Sequence, residues 1–117
     1  MVIEDDKFLS SLIKTRLEKE GFTVLQAFDG DEAVSRLREE TPDLIVLDLI
    51  MPKVNGFEVL QTISITPQLA AVPVVILSNL AQDADVEKAR ALGAKEYFVK
   101  VKISIDELLD RVKTLVA

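Results

Sequence analysis

The chain has 117 residues, 49% hydrophobic and 29% charged, with 14 basic side chains against 20 acidic ones and a net charge of −6. That is apolar material for one packed domain spanning residues 1–117, and the acidic balance argues against direct binding of nucleic acid or an anionic membrane. With no cysteine and no histidine, disulfides and Ser–His or Cys–His nucleophile pairs are excluded and the composition argues against zinc or copper sites, so any metal should be a hard cation on oxygen ligands. No apolar run reaches the ~18 residues of a membrane span, and the first residues lack a secretory leader's plan, so a cytoplasmic location is expected.

Strand-like and helix-like patterns alternate along the chain. "MVIE" (1–4) is a short apolar opening. Residues 7–20 place Phe8, Leu9, Leu12, Ile13 and Leu17 on one helical stripe, closed by Gly21. "FTVLQA" (22–27) reads as a strand, and Asp29-Gly30 opens a second helix that turns Ala33, Val34 and Leu37 inward and ends before Pro42. "DLIVL" (43–47) is a continuous apolar strand. Residues 56–65 form a third helix on Phe57, Leu60 and Ile63, stopped at Thr66-Pro67. "PVVIL" (73–77) is a strand, 83–92 a weakly patterned helix ended by Gly93, and "EYFV" (96–99) the last strand. The final helix, 105–116, opens on Ser104 and Glu107 at capping-box spacing.

Five continuously apolar strands joined by helices imply a parallel sheet covered on both faces, a doubly wound α/β sandwich. In such sheets ligands bind beyond the carboxyl ends of the strands. The residues that follow the strands are Glu4, Asp5 and Asp6 after the first, Asp48 after the third, Ser78 after the fourth and Lys100 after the fifth. Each alone is an ordinary cap, turn or surface residue. Together they converge on one edge. Two carboxylates about 4 Å apart repel by roughly 1 kcal/mol in water and roughly 4 kcal/mol at an effective dielectric near 20. One lysine offsets only part of that, and a divalent hard ion that keeps water and substrate ligands, Mg²⁺ above all, suits the rest. Carboxylate, hydroxyl, ammonium and Mg²⁺ together are equipment for phosphoryl transfer, with a carboxylate able to act as nucleophile.

Four motifs carry a resemblance: "VIEDD" (2–6), "VLDLIMPKVNG" (46–56), "PVVILS" (73–78) and "GAKEYFVK" (93–100). At these separations the whole chain resembles the receiver domain of response regulators in two-component signalling. The resemblance implies a flavodoxin-like strand order 2-1-3-4-5, with Asp48 as the phosphate acceptor. It implies Asp5 as a direct Mg²⁺ ligand beside Asp48 and the Ile50 carbonyl, with Glu4 acting through water. It makes Ser78 and Lys100 the groups that meet the phosphoryl oxygens and Tyr97 the aromatic switch; Asp6 and Asn79, adjacent to these positions, could contribute. Mg²⁺, or Mn²⁺ in its place, is the implied cofactor, and a histidine kinase or phosphotransfer protein the donor. A downstream protein target would read the helix 4–strand 5–helix 5 face, through which a dimer could also form, although no sequence pattern supports one. The domain would catalyse only its own phosphorylation and dephosphorylation.

The chain departs from the family pattern in places. Val101 follows Lys100 where a cis-linked proline is usual; a non-proline cis bond costs about 3 kcal/mol, so a trans or strained loop is expected, with Lys100 free to sit differently. Asn79 is larger than usual and narrows phosphate access, and the first strand is short. Ile50 and Leu80 are apolar where polar groups are common, which predicts a long-lived phosphoryl group. Two rivals are a receiver-like scaffold that works without phosphorylation, and a Mg²⁺ phosphohydrolase of the haloacid dehalogenase type. The second lacks the acid it needs two residues after Asp48, where Ile50 stands.

Overall fold

A computed structural model describes residues 1–117. Its elements are β1 (Val2–Ile3), α1 (Lys7–Lys19), β2 (Gln26–Ala27), α2 (Gly30–Glu39), β3 (Ile45–Leu47), α3 (Gly56–Ile65), β4 (Val74–Ser78), α4 (Asp83–Ala91), β5 (Glu96–Val99) and α5 (Ile105–Val116). The five strands form one parallel sheet in the order β2-β1-β3-β4-β5, as the family resemblance implied. Val2 lies level with Gln26 and Val46, and Ile76 with Leu47 and Tyr97.

Successive residues of a strand face opposite sides of a sheet, and the two faces here bury two separate cores. Ile3, Ile45, Leu47 and Ile76 face α2, α3 and α4, where they meet Ala33, Leu37, Val59, Leu60 and Ile63. Val2, Val46, Val75 and Leu77 face α1 and α5, against Ile13, Leu17, Leu108, Leu109 and Val112. Full burial of such aliphatic side chains contributes about 1.5–3 kcal/mol each, which explains why the central strands carry no polar residue until they reach the sheet edge.

Four helices begin on a side-chain cap: Asp6, Asp29, Asn55 and Ser104 each accept a backbone N–H from the first turn, and Ser104 with Glu107 completes the expected capping box. Helix α4 is the exception. Its N-cap, Gln82, makes no capping bond, and Ala89 is its one fully buried residue.

Two expectations need correction. Of "FTVLQA" only Gln26–Ala27 form strand, because β1 offers just two residues to pair with. On α1, Phe8 is 83% and Leu12 41% exposed. The buried line of that helix is Ser10, Ile13 and Leu17; at 100° per residue Phe8 and Leu12 lie on its far side. Ser10 enters the interior because Gln26 Nε2 donates to its Oγ at 2.9 Å.

Candidate functional site

Parallel strands deliver the residues after them to one edge of the sheet. Lys100 Nζ lies 2.7 Å from Glu4 Oε1 and 2.9 Å from Asp48 Oδ2, so the last strand's cation bridges the acids that follow β1 and β3. The Glu4 contact is an ion pair without hydrogen-bond alignment, and Oε1 is otherwise unpartnered. Glu4 Oε2 accepts the Asp6 N–H at 3.0 Å, and Asp48 Oδ1 accepts the Ile50 N–H at 3.2 Å. Ligand oxygens of Glu4, Asp5 and Asp48 all lie within 4.8 Å of one another. Glu4 and Asp48 are buried, at 2% and 3% exposure, while Asp5 is exposed at the mouth.

Burial pushes the Glu4 carboxyl up to about 7; the Lys100 ammonium and the Asp6 N–H pull against that, and the Asp48 charge adds to it. For Lys100 burial pulls the ammonium down, but Glu4 and Asp48 outweigh it and the net shift is upward. The pocket thus holds a firmly charged cation and more carboxylate than that cation neutralises. A divalent ion on oxygen ligands relieves the surplus, and the cluster fits one: Asp5 is open to it, and Asp48 and Glu4 lie within reach.

The remaining predicted residues separate. Ser78 is fully buried at the end of β4; its Oγ accepts the Leu80 N–H at 3.3 Å, and its carbonyl accepts the Lys100 N–H at 3.0 Å. Tyr97 is half-buried, and its hydroxyl donates to the Leu80 carbonyl at 2.7 Å. Asp6 stands outside the acidic cluster, because its carboxylate caps α1 by accepting the Leu9 N–H at 3.1 Å. Asn79 is exposed on the connection after β4. The Lys100–Val101 peptide is trans, and the ammonium reaches both acids all the same.

Sequence reasoning passed over the packing that holds the segment after Asp48. A Cβ on Gly56 would stand 2.2 Å from the Asp48 carbonyl oxygen and 2.4 Å from Leu49 Cα; one on Gly30 would stand 2.0 Å from the Val54 carbonyl oxygen. Both ends of the segment are therefore pressed against glycine. Between them Lys53 takes a left-handed backbone (φ 67°), with its ammonium 3.6 Å from Asp29. The Glu32 N–H, aided by Lys53, holds the Asp29 carboxyl below the usual range. "MPKVNG" signals a turn in sequence, but nothing in it shows what the turn packs on.

The family model of the response regulator receiver domain matches residues 1–113. The chain is 38% identical over 114 residues to the phosphate regulon transcriptional regulatory protein PhoB of Rhizobium meliloti (strain 1021), covering 97% of this chain and 50% of that protein. It spans about half the length of the curated relatives it matches. Among solved structures, the receiver domain of the Francisella response regulator 1452 superposes with a TM-score of 0.88 at 36% identity, covering 98% of this chain and 93% of that one. The receiver domain of the sensor histidine kinase PA1611 from Pseudomonas aeruginosa PAO1, described with a magnesium ion coordinated in its active-site cleft, shares the fold at a TM-score of 0.87 and 23% identity over 98% of this chain and 93% of that one. With the strand order, the acidic edge and a family match over nearly its full length, this chain belongs to the receiver domains of two-component response regulators.

Proposed function

We propose that this chain is a phosphorylation switch in which Asp48 accepts a phosphoryl group from the phosphohistidine of a histidine kinase or phosphotransfer protein. One observation carries the reading: Asp48 is buried, ion-paired to Lys100 and clustered with Glu4 and Asp5 at the strand-end edge. A carboxylate oxygen of Asp48 attacks phosphorus, a P–O bond forms, the P–N bond to the donor imidazole breaks, and the imidazole keeps the electron pair and takes up a proton. Mg²⁺, when bound by Asp5, Asp48 and the Ile50 carbonyl with Glu4 behind water, supplies charge neutralisation for the incoming oxygens. The acidic cluster's surplus charge supports that role, and a relative of the same fold is described with magnesium in its cleft.

The chain's own groups do the rest. Lys100 is already seated against Asp48, so its charge is in place before transfer and needs no reorganisation. Ser78 Oγ is held by one backbone N–H, that of Leu80. Its hydroxyl proton is thus free for a phosphoryl oxygen at Asp48. Recruitment of Ser78 pulls on Leu80, whose carbonyl holds Tyr97, and on α4, which has no side-chain cap and one buried residue. Output then runs through α4, β5 and α5 as a shift between two packings.

Acetyl phosphate with Mg²⁺ should add one PO₃ unit by intact mass, with Asp48 as the modified residue. EDTA or Asp48→Asn should abolish the gain. An unmodified Asp48 under acetyl phosphate and a phosphorylated histidine kinase alike, in protein shown to be folded, ends the proposal. Equal partner affinity with and without Asp48 would leave the scaffold reading standing instead.

A further inference from the structure

The segment that joins β3 to α3 has few supports of its own. Gly56 N–H donates to the Leu49 carbonyl at 3.0 Å and closes its base. Ile50 N–H donates to Asp48 Oδ1 at 3.2 Å. From Met51 to Asn55 no main-chain N–H has a hydrogen-bond partner in the chain, and Pro52 has none to offer. The segment is therefore shaped by what it leans on. Met51 sits in the core, and the other support is the start of α2.

Two adjacent residues make that second support. Asp29, the N-cap of α2, faces the Lys53 ammonium at 3.6 Å. Gly30, the first helical residue, is buried against Val54: an added Cβ would stand 2.0 Å from the Val54 carbonyl oxygen and 2.6 Å from Val54 Cβ. The ion pair is largely exposed, and such pairs are weak. The Gly30 contact is the stronger constraint. Gly30 is not among the positive-φ glycines, so the position needs glycine for room and not for backbone angle.

A side chain at position 30 would force one partner to move by about 1 Å. Helix α2 is pinned by Ala33 and Leu37, both buried in the core, while residues 51–55 have no main-chain N–H bonds to break. The segment is the side that yields. Pro52 has a fixed φ and Lys53 already occupies the left-handed region, so few torsions remain to absorb the shift before it reaches Ile50.

We propose that Gly30 is a positioning residue for Ile50, and through it for Asp48 and the Mg²⁺ site. The inference rests on the Mg²⁺-dependent reading of the acidic edge given above. Ile50 carries both relevant groups: its N–H holds Asp48 Oδ1, and its carbonyl, the implied metal ligand, accepts no hydrogen bond in the chain. Mg²⁺ demands near-ideal octahedral geometry with ligands at about 2.0–2.1 Å, so it tolerates little displacement of that oxygen. Gly30 touches neither ion nor phosphate and acts only by leaving room for Val54.

Gly30→Ala should weaken Mg²⁺ binding by about 10- to 100-fold, read by NMR titration of the Asp5 and Asp48 amides with no phosphodonor present. In metal-free protein the Ile50 amide proton should move upfield and exchange faster as its bond to Asp48 loosens. With acetyl phosphate, the Mg²⁺ concentration for half-maximal labelling should rise by the same factor as the loss of affinity. Leu37→Val, which loosens the same helix two turns further on, should lower the urea midpoint yet leave all three readings at wild-type values. Val54→Gly slackens the contact from the loop side and should move the same readings in the same direction. Wild-type Mg²⁺ affinity or an unmoved Ile50 amide in folded Gly30→Ala would overturn the assignment, as would either result in Val54→Gly should Gly30→Ala not fold, or equal weakening in Leu37→Val. A wild-type chain that binds Mg²⁺ but is labelled by no donor would refute the phosphoacceptor reading and leave the role of Gly30 in place, whereas one that binds no Mg²⁺ sinks both.

Discussion

Gly56→Ala tests whether the backbone after Asp48 is held by close packing. Gly56 is the first residue of α3, and its N–H donates to the Leu49 carbonyl at 3.0 Å. An alanine Cβ would stand 2.2 Å from the Asp48 carbonyl oxygen, 2.4 Å from Leu49 Cα and 2.9 Å from the Asp48 carbonyl carbon. Non-bonded carbon contacts settle near 3.5 Å, so the two segments have to part by about 1 Å. The obstructing atoms are main chain and cannot rotate aside. Overpacking of this kind costs about 1–3 kcal/mol, and the backbone involved is the buried end of β3, so about 3 kcal/mol in urea denaturation is the expected loss. Because a misplacement of about 1 Å at a reacting group can cost on the order of 100-fold in rate, the initial rate of acetyl phosphate labelling, measured where the variant is folded, should fall by roughly that factor. Gly21→Ala is the control: Gly21 has φ +92° with nothing within 4 Å of an added Cβ, so it should lose only about 1–2 kcal/mol and keep its labelling rate. The reasoning is refuted if Gly56→Ala is no less stable than Gly21→Ala and is labelled at the wild-type rate.

Ile50 is 54% exposed beside the acceptor, and Ile50→Glu should bring water to the acyl phosphate and shorten its half-life about tenfold or more, read by mass after removal of the donor; an unchanged half-life would refute apolar cover. The raised Glu4 carboxyl gives a signed pH effect: the unfolded chain sheds this proton near 4.5 and the folded chain near 7, so without metal Glu4's contribution to stability falls as pH rises across that window. Wild type compared with Glu4→Gln in thermal melts should show that difference, and Mg²⁺ should narrow it above pH 7; matching pH profiles would count against a strained Glu4. Lys53→Asn should stabilise by about 0.5–1 kcal/mol, since asparagine tolerates the left-handed backbone better, whereas Lys53→Val should destabilise. Equal urea midpoints for the two would contradict the strain.

How far the residues announce the fold can be seen one position at a time. Continuous apolar strands and evenly spaced helices gave the layered sandwich, and the polar residues after four of the five strands gave the edge where Glu4, Asp5, Asp48 and Lys100 meet. The misreadings share a cause: they depend on partners distant in sequence. Phe8 and Leu12 looked like core because apolar spacing alone does not say which side of a helix faces inward, and the inward Ser10 is explained only by Gln26 across the gap. Asp5 and Asp6 are chemically alike, and the start of α1 decides which one caps and which stays open. The Tyr97–Leu80 bond ends on a backbone carbonyl, which no side-chain pattern reveals.

The missing cap on α4 has an evolutionary consequence. A good N-cap is worth about 1 kcal/mol, close to a fivefold change in an equilibrium between two conformers. Position 82 lies outside the acidic cluster. Under the switch proposed above, exchanging Gln82 for Ser or Asp would therefore reset how readily the α4–β5–α5 face responds while leaving Asp48 and its neighbours alone. In such a switch a lineage could make the threshold stricter or laxer with one substitution in an exposed turn, with no compensating change in whatever donor supplies the phosphoryl group.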